Sequence, residues 1–182
     1  MARLADRHGH PNPGLDRWVQ RGALALAVLM GLAALALLVI GLLGLPLMAL
    51  AALVTLALIA PVLMLTAAAP AVSLSDEGLT IHPVVWPSRL IRWGDVRAIK
   101  DYPLMPPPGA EVERRVFVGR KKYRAPAGRM LIVPSLPVQY RFTGLFAGEG
   151  FTPVIAITNR THTDYDRLIR VIEYHLRGLQ DG

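Results

Sequence analysis

The chain has 182 residues, 53% of them hydrophobic, and carries 20 Lys and Arg against 13 Asp and Glu, a net charge of +7. It has no cysteine, which excludes disulfides, thiolate metal sites and a cysteine nucleophile. The basic excess suits an anionic membrane surface or an acidic partner.

Residues 1–21 are polar, broken by Gly9, Pro11, Pro13 and Gly14, and read as a mobile cytoplasmic tail. At its end Arg17, Trp18 and Arg21 form an interfacial anchor, with the indole at headgroup depth and the guanidinium groups among phosphates. Residues 22–75 then run without an Asp, Glu, Lys, Arg or His. No soluble core needs so long a run, whereas hydrocarbon does. Gly41, Gly44 and Pro46 interrupt it near the middle, Gly suiting a helix end and Pro the first turn of the next helix. The pattern predicts a transmembrane helical hairpin over 22–70, with one helix over 22–43, a turn at 44–46 and a second helix over 46–69. At ~1.5 Å per residue each helix crosses the ~30 Å hydrocarbon layer. The run is too long for a cleavable signal peptide. Four arginines in the tail and an uncharged turn place both termini in the cytoplasm.

Ala23, Ala27 and Gly31 recur at every fourth position of the first helix. They form a small-residue strip for helix packing, against a partner or against the second helix. Pro61 predicts a kink, and Thr55 and Thr66 are expected to bond the backbone. The absence of ionisable residues from the spans argues against an ion or proton path.

Residues 71–182 form the soluble domain. Period-two alternation predicts strands over 72–75 and 79–82 around an Asp76-Glu77-Gly78 turn, and a further strand over 89–92. Trp93-Gly94-Asp95 is a corner before a strand over 96–102, and Pro103 to Gly109 is a stiff Pro-rich loop. Strands come next over 112–118 and 129–133. Leu136, Val138, Tyr140 and Phe142 alternate with polar residues and read as the cleanest half-buried strand of the chain. The last strand covers 151–158. The period then becomes helical. Thr163 is the expected N-cap, and Tyr165, Leu168, Ile169, Ile172, either His175 or Leu176, and Leu179 share one face. About seven short strands and one amphipathic helix result, and that helix must lie across an open side of the sheets.

Three stretches resemble the small bacterial membrane proteins with a pleckstrin-homology-like (PH-like) domain: LSDEGLTIHP at 74–83, RLIRWGDVRAIK at 89–100 and ITNRTHTDYDRLIRVIEYHL at 157–176. The resemblance implies a PH-like barrel of about seven strands with a C-terminal capping helix, set beside a membrane hairpin. It implies no substrate, because function lives in sites rather than folds.

Arg114, Arg115, Arg120, Lys121, Lys122, Arg124 and Arg129 lie close together with no acid among them, and would bind anionic lipid or an acidic partner, with Tyr123 at headgroup level. The competing reading is a solvated hairpin tip whose charges oppose aggregation. The stacking aromatics of a single-strand nucleic-acid binder are missing around them. The five histidines are scattered, with His8 and His10 in the tail, and no metal-ligand spacing occurs. No nucleophile turn or phosphate-cradling loop is present, and Arg114 and Arg115 neutralise the Glu111–Glu113 pair. No cofactor is expected. The sequence therefore points to a non-enzymatic protein of the bacterial inner membrane. It would bind membrane lipids and a neighbouring integral membrane protein as an accessory or assembly subunit. The alternative is a stand-alone anionic-lipid or envelope-stress sensor.

Overall fold

A computed structural model describes the backbone of residues 7–106 and 124–180, and the side chains of all of these but 179 and 180. Strand β1 (Arg7–His8) precedes helices α1 (Pro13–Leu42) and α2 (Pro46–Ala67). Strands β2 (Ala71–Leu74), β3 (Gly78–His82) and β4 (Arg89–Arg92) come after them, then a 3-10 turn at Trp93–Asp95 and strands β5 (Ala98–Asp101) and β6 (Gly128–Ile132). A 3-10 turn at Val138–Tyr140 runs into the short helix α3 (Arg141–Phe146), before strand β7 (Val154–Thr158) and helix α4 (Tyr165–Gln180).

The two long helices form an antiparallel pair joined where the sequence breaks. Gly44 adopts a φ of +117°, which L side chains resist, and Pro46 occupies the first turn of α2. At Gly41 a Cβ would lie 2.6 Å from the Ala49 nitrogen, so the glycine lets the helices meet tightly beside the turn. Both helices are long and apolar enough to cross a membrane. They do not form a core of their own, since Leu29, Leu32, Leu35, Leu47, Leu50 and Leu53 are each more than half exposed. Helix α1 starts earlier than expected, because Pro13 satisfies the first-turn preference and the polar turns through Arg21 continue the helix. At ~1.5 Å per residue α1 is about 45 Å long, more than the ~30 Å of a hydrocarbon layer.

Two antiparallel sheets make up the domain, one ordered β1-β2-β3-β4 and the other β5-β6-β7. Among the described residues no strand pairs across them, so the sheets are not closed into a barrel. The chain leaves the first sheet at the Trp93–Asp95 turn and starts the second at Ala98. Val72, Leu79, Ile81 and Ile91 from one sheet and Leu131, Ile155 and Ile157 from the other meet Leu168, Ile169 and Ile172 of α4 in one core. At about 25 cal/mol per Å² of buried apolar surface, these contacts are the main favourable term for the domain. The opposite face of the second sheet has its own cluster of Met130, Ile132, Val154 and Ala147. Strand β7 is thus buried on both faces, which explains its unbroken apolar run.

Three expectations are corrected. Residues 136–142 are not a strand. Leu136, Tyr140, Thr143 and Ala147 are buried, a helical spacing, whereas Val138 is 64% exposed. Pro134 and Pro137 remove donors that a sheet ladder would need. Residues 7–21 do not form a mobile tail, since β1 pairs with β2 (Arg7 opposite Ser73, His8 opposite Val72) and α1 takes up residues 13–21. Helix α4 starts after Asp164, a non-glycine residue at φ +51°, rather than directly after Thr163. The strand expected over 112–118, the Glu111–Glu113 pair and Tyr123 lie outside the described residues, as does the Leu179 side chain.

Candidate binding surfaces

Five tertiary links fasten the domain to the base of the hairpin. The Val84 amide donates to Gln20 Oε1 at 3.2 Å, and Gln20 Nε2 donates to Asp16 Oδ1 at 2.9 Å. Trp86 Nε1 donates to Thr66 Oγ1 at 3.0 Å, while that hydroxyl bonds the Leu63 carbonyl at 2.7 Å. The Ala156 amide of β7 donates to the Ala68 carbonyl at 2.8 Å, at the end of α2. His162 Nδ1 accepts from the Thr158 amide at 3.3 Å, which fixes the proton on Nε2, and Nε2 donates to the Pro70 carbonyl at 3.0 Å. Finally, the Thr163 amide donates to the Gly9 carbonyl at 3.1 Å and His8 Nδ1 donates to the Thr163 carbonyl at 3.1 Å. His162 is 3% exposed, and burial pushes its pKa down to about 4.

A wide cleft lies at the other end of α4. It has a volume of about 770 Å³ and is lined by Trp93, Arg170, Glu173, Tyr174, His175 and Arg177, with Asp76 at its edge. Its floor is the Trp93 indole stacked on the His175 ring, with centroids 4.6 Å apart and planes at 14°. Trp93 is anchored through Nε1 to the Ser75 carbonyl at 3.3 Å, and Tyr174 stands edge-on to His175 with 76% of its surface exposed. Cations and anions alternate around an aromatic base, an arrangement suited to polypeptide with both charged and apolar side chains.

Of the seven basic residues singled out in the sequence, Arg124 and Arg129 lie among the described residues. Arg114, Arg115, Arg120, Lys121 and Lys122 lie outside the described residues. Arg129 pairs with Asp101 at 2.7 Å, its cross-strand neighbour in the β5–β6 register, and Arg124 lies 3.8 Å from Asp166. Both thus have acidic neighbours that the local sequence does not reveal. Ala23 and Ala27 are buried in the hairpin, together with Ala34 and Ala52, while Gly31 is half-buried. Arg17, Trp18 and Arg21 stand on the first turns of α1, with Trp18 78% exposed. Among the described residues no three His, Asp or Glu side chains converge as metal ligands.

Sequence reasoning missed a second cleft of about 530 Å³ between β1, the start of α1 and the loop after β3. Arg7, His10, Arg17 and Arg21 line it, and His82 sits on its wall. Both ring nitrogens of His82 are engaged, by Ser73 Oγ at 2.7 Å and Ser88 Oγ at 3.1 Å. Burial and then the Arg7 charge hold its pKa below the usual histidine value. The pre-proline Asn12 before Pro13 was the available signal, because it marks a helix start and so places Arg17 and Arg21 on a fixed face. Comparison with protein-family models, curated proteins and solved structures gives no match.

Proposed function

We propose that the chain is a non-catalytic membrane protein that binds a neighbouring integral membrane protein, as an accessory or assembly subunit. In this reading the helical pair spans the bacterial inner membrane, both ends of the chain are cytoplasmic, and the soluble part is a PH-like domain. The antiparallel four- and three-stranded sheets with an amphipathic helix packed across them support the PH-like assignment. The β1–β2 pairing favours a same-side arrangement, because it joins segments that flank the hairpin.

The observation that carries the partner reading is the Trp93–His175 cleft. Its aromatic floor and mixed-charge rim are set on a domain held by five links to the hairpin base, so a docked segment would be presented at a fixed height above the membrane. Preorganisation of this kind lowers the entropic cost of association. The test is a photo-crosslinking amino acid at Tyr174 in native membranes, coupled to mass spectrometry. A single stoichiometric adduct with an integral membrane protein is expected, weakened by Arg170→Glu with Arg177→Glu. Detergent-extracted protein that sizes as a lone chain and gives no adduct would refute the reading.

A further inference from the structure

The cleft between β1 and the start of α1 combines two features that belong to one kind of ligand. Its polar part presents Arg7, Arg17 and Arg21, and among the described residues none of the three makes a salt bridge. The one acid on its wall, Asp16, already accepts from Gln20 Nε2 at 2.9 Å. Its carboxylate offsets one charge, so three guanidinium groups around a cavity of about 530 Å³ leave a net positive field that a phosphate would neutralise. Arg17 and Arg21 also border a second, mainly apolar hollow of about 520 Å³, formed with Trp18, Gly22 and Ala25. Nothing covers Gly22, where an added Cβ would meet no atom within 4 Å. The apolar hollow continues onto the exposed leucine surface of α1.

We infer that these adjoining hollows bind one anionic phospholipid, its phosphate among Arg7, Arg17 and Arg21 and an acyl chain along Trp18, Gly22 and Ala25. The apolar hollow selects lipid over free phosphate, because a soluble anion would leave it empty. The site is distinct from a generic interfacial anchor. Arg7 comes from the arm before the hairpin and His82 to Val84 from the end of β3 and the loop after it, so the cleft exists only when β1 is paired. Basic pockets beside membrane helices at the cytoplasmic face are a recognised form of headgroup recognition. The inference rests on the membrane-spanning reading.

The test uses the full chain in detergent with equimolar phosphatidylglycerol and phosphatidylcholine, read by native mass spectrometry. One phosphatidylglycerol retained per chain in preference to phosphatidylcholine is expected. Arg7→Gln, Arg17→Gln and Arg21→Gln combined should lower that retention about 100-fold, three surface charges being lost. The three arginines replaced by Lys keep the charge and serve as the folding control, and this variant should retain the lipid. Arg124→Gln with Arg129→Gln removes charge elsewhere and should leave retention unchanged. Equal retention of the two lipids, no loss in the Gln variant, or displacement of the lipid by millimolar inorganic phosphate would overturn the proposal. Extraction of the membranes with alkaline carbonate separates the two failures. A chain released into solution refutes the membrane reading, and a chain that stays but shows no lipid preference refutes only the cleft.

Discussion

His162 joins the linker after α2 to the turn after β7 through one imidazole. It does so as the neutral ring, accepting at Nδ1 and donating at Nε2. Burial holds its folded pKa near 4, against 6.5 in the unfolded chain. Between those values the unfolded chain takes up a proton that the folded chain refuses. The contribution of His162 is therefore intact above pH 6.5 and declines as the pH falls toward 4, by on the order of 3 kcal/mol in all. Thermal unfolding of the full chain in detergent should show a midpoint that drops across that range. His162→Gln, which keeps one donor and one acceptor but no titration, should flatten the drop. Tyr140 is the opposite case. Its hydroxyl is buried with no hydrogen-bond partner among the described residues, and burial pushes its pKa up to about 12. Tyr140→Phe removes a desolvated donor and keeps the ring. Stability should be unchanged or raised by about 1 kcal/mol, measured by denaturant titration.

Helix α3 shows how a sequence pattern can be true and still mislead. Leu136, Val138, Tyr140 and Phe142 do alternate, but the buried positions are Leu136, Tyr140, Thr143 and Ala147. Thr143 is the residue that decides. Its hydroxyl accepts from the Val154 amide at 3.1 Å and lies within bonding distance of the Tyr140 and Val154 carbonyls, at 2.7 and 2.6 Å. Gly144 beside it permits the approach, because a Cβ there would collide with the Thr152 carbonyl. The Thr143–Val154 contacts join two elements and could not be read from the alternation, although Pro134 and Pro137 already weighed against a strand. Thr143→Val keeps the shape and leaves the Val154 amide unpaired in a buried place, a loss of about 2 kcal/mol. Thr143→Ser should restore most of it, and comparison of the two unfolding midpoints checks the assignment. The elements read correctly are those whose signal is local and repeated: the hairpin with its Gly44-Pro46 break, the β2–β3 hairpin and the stripe of α4. The two-residue β1 lay beyond reach, since its only warrant is a partner more than sixty residues away. The same holds for the clefts, built from segments distant in the chain.

At the scale of the whole molecule, the decisive relation is between the arm before the hairpin and the domain after it. If β1 pairs with β2, the apolar helices leave and return on one side of whatever surrounds them. The exposed leucines lie on two helices long and apolar enough to cross a membrane, and five links at the base leave the domain little freedom to swing. The basic cleft and the fixed display of the Trp93–His175 cleft both depend on that closure. The chain contains no cysteine, so the pairing can be probed without background. Arg7 and Ser73 are directly opposed in the antiparallel register, and facing Cα atoms in such a pair lie about 4.5 to 5.5 Å apart, within disulfide range. Arg7→Cys with Ser73→Cys should therefore cross-link readily on mild oxidation in intact membranes, giving a faster-migrating band on non-reducing gels. Moving the first cysteine to Gly14, inside α1, should abolish the product. A double variant that stays reduced in membranes, while each cysteine reacts with a soluble maleimide, would mean that the arm does not dock. The basic cleft would then lose Arg7, and the same-side argument would lose its structural support.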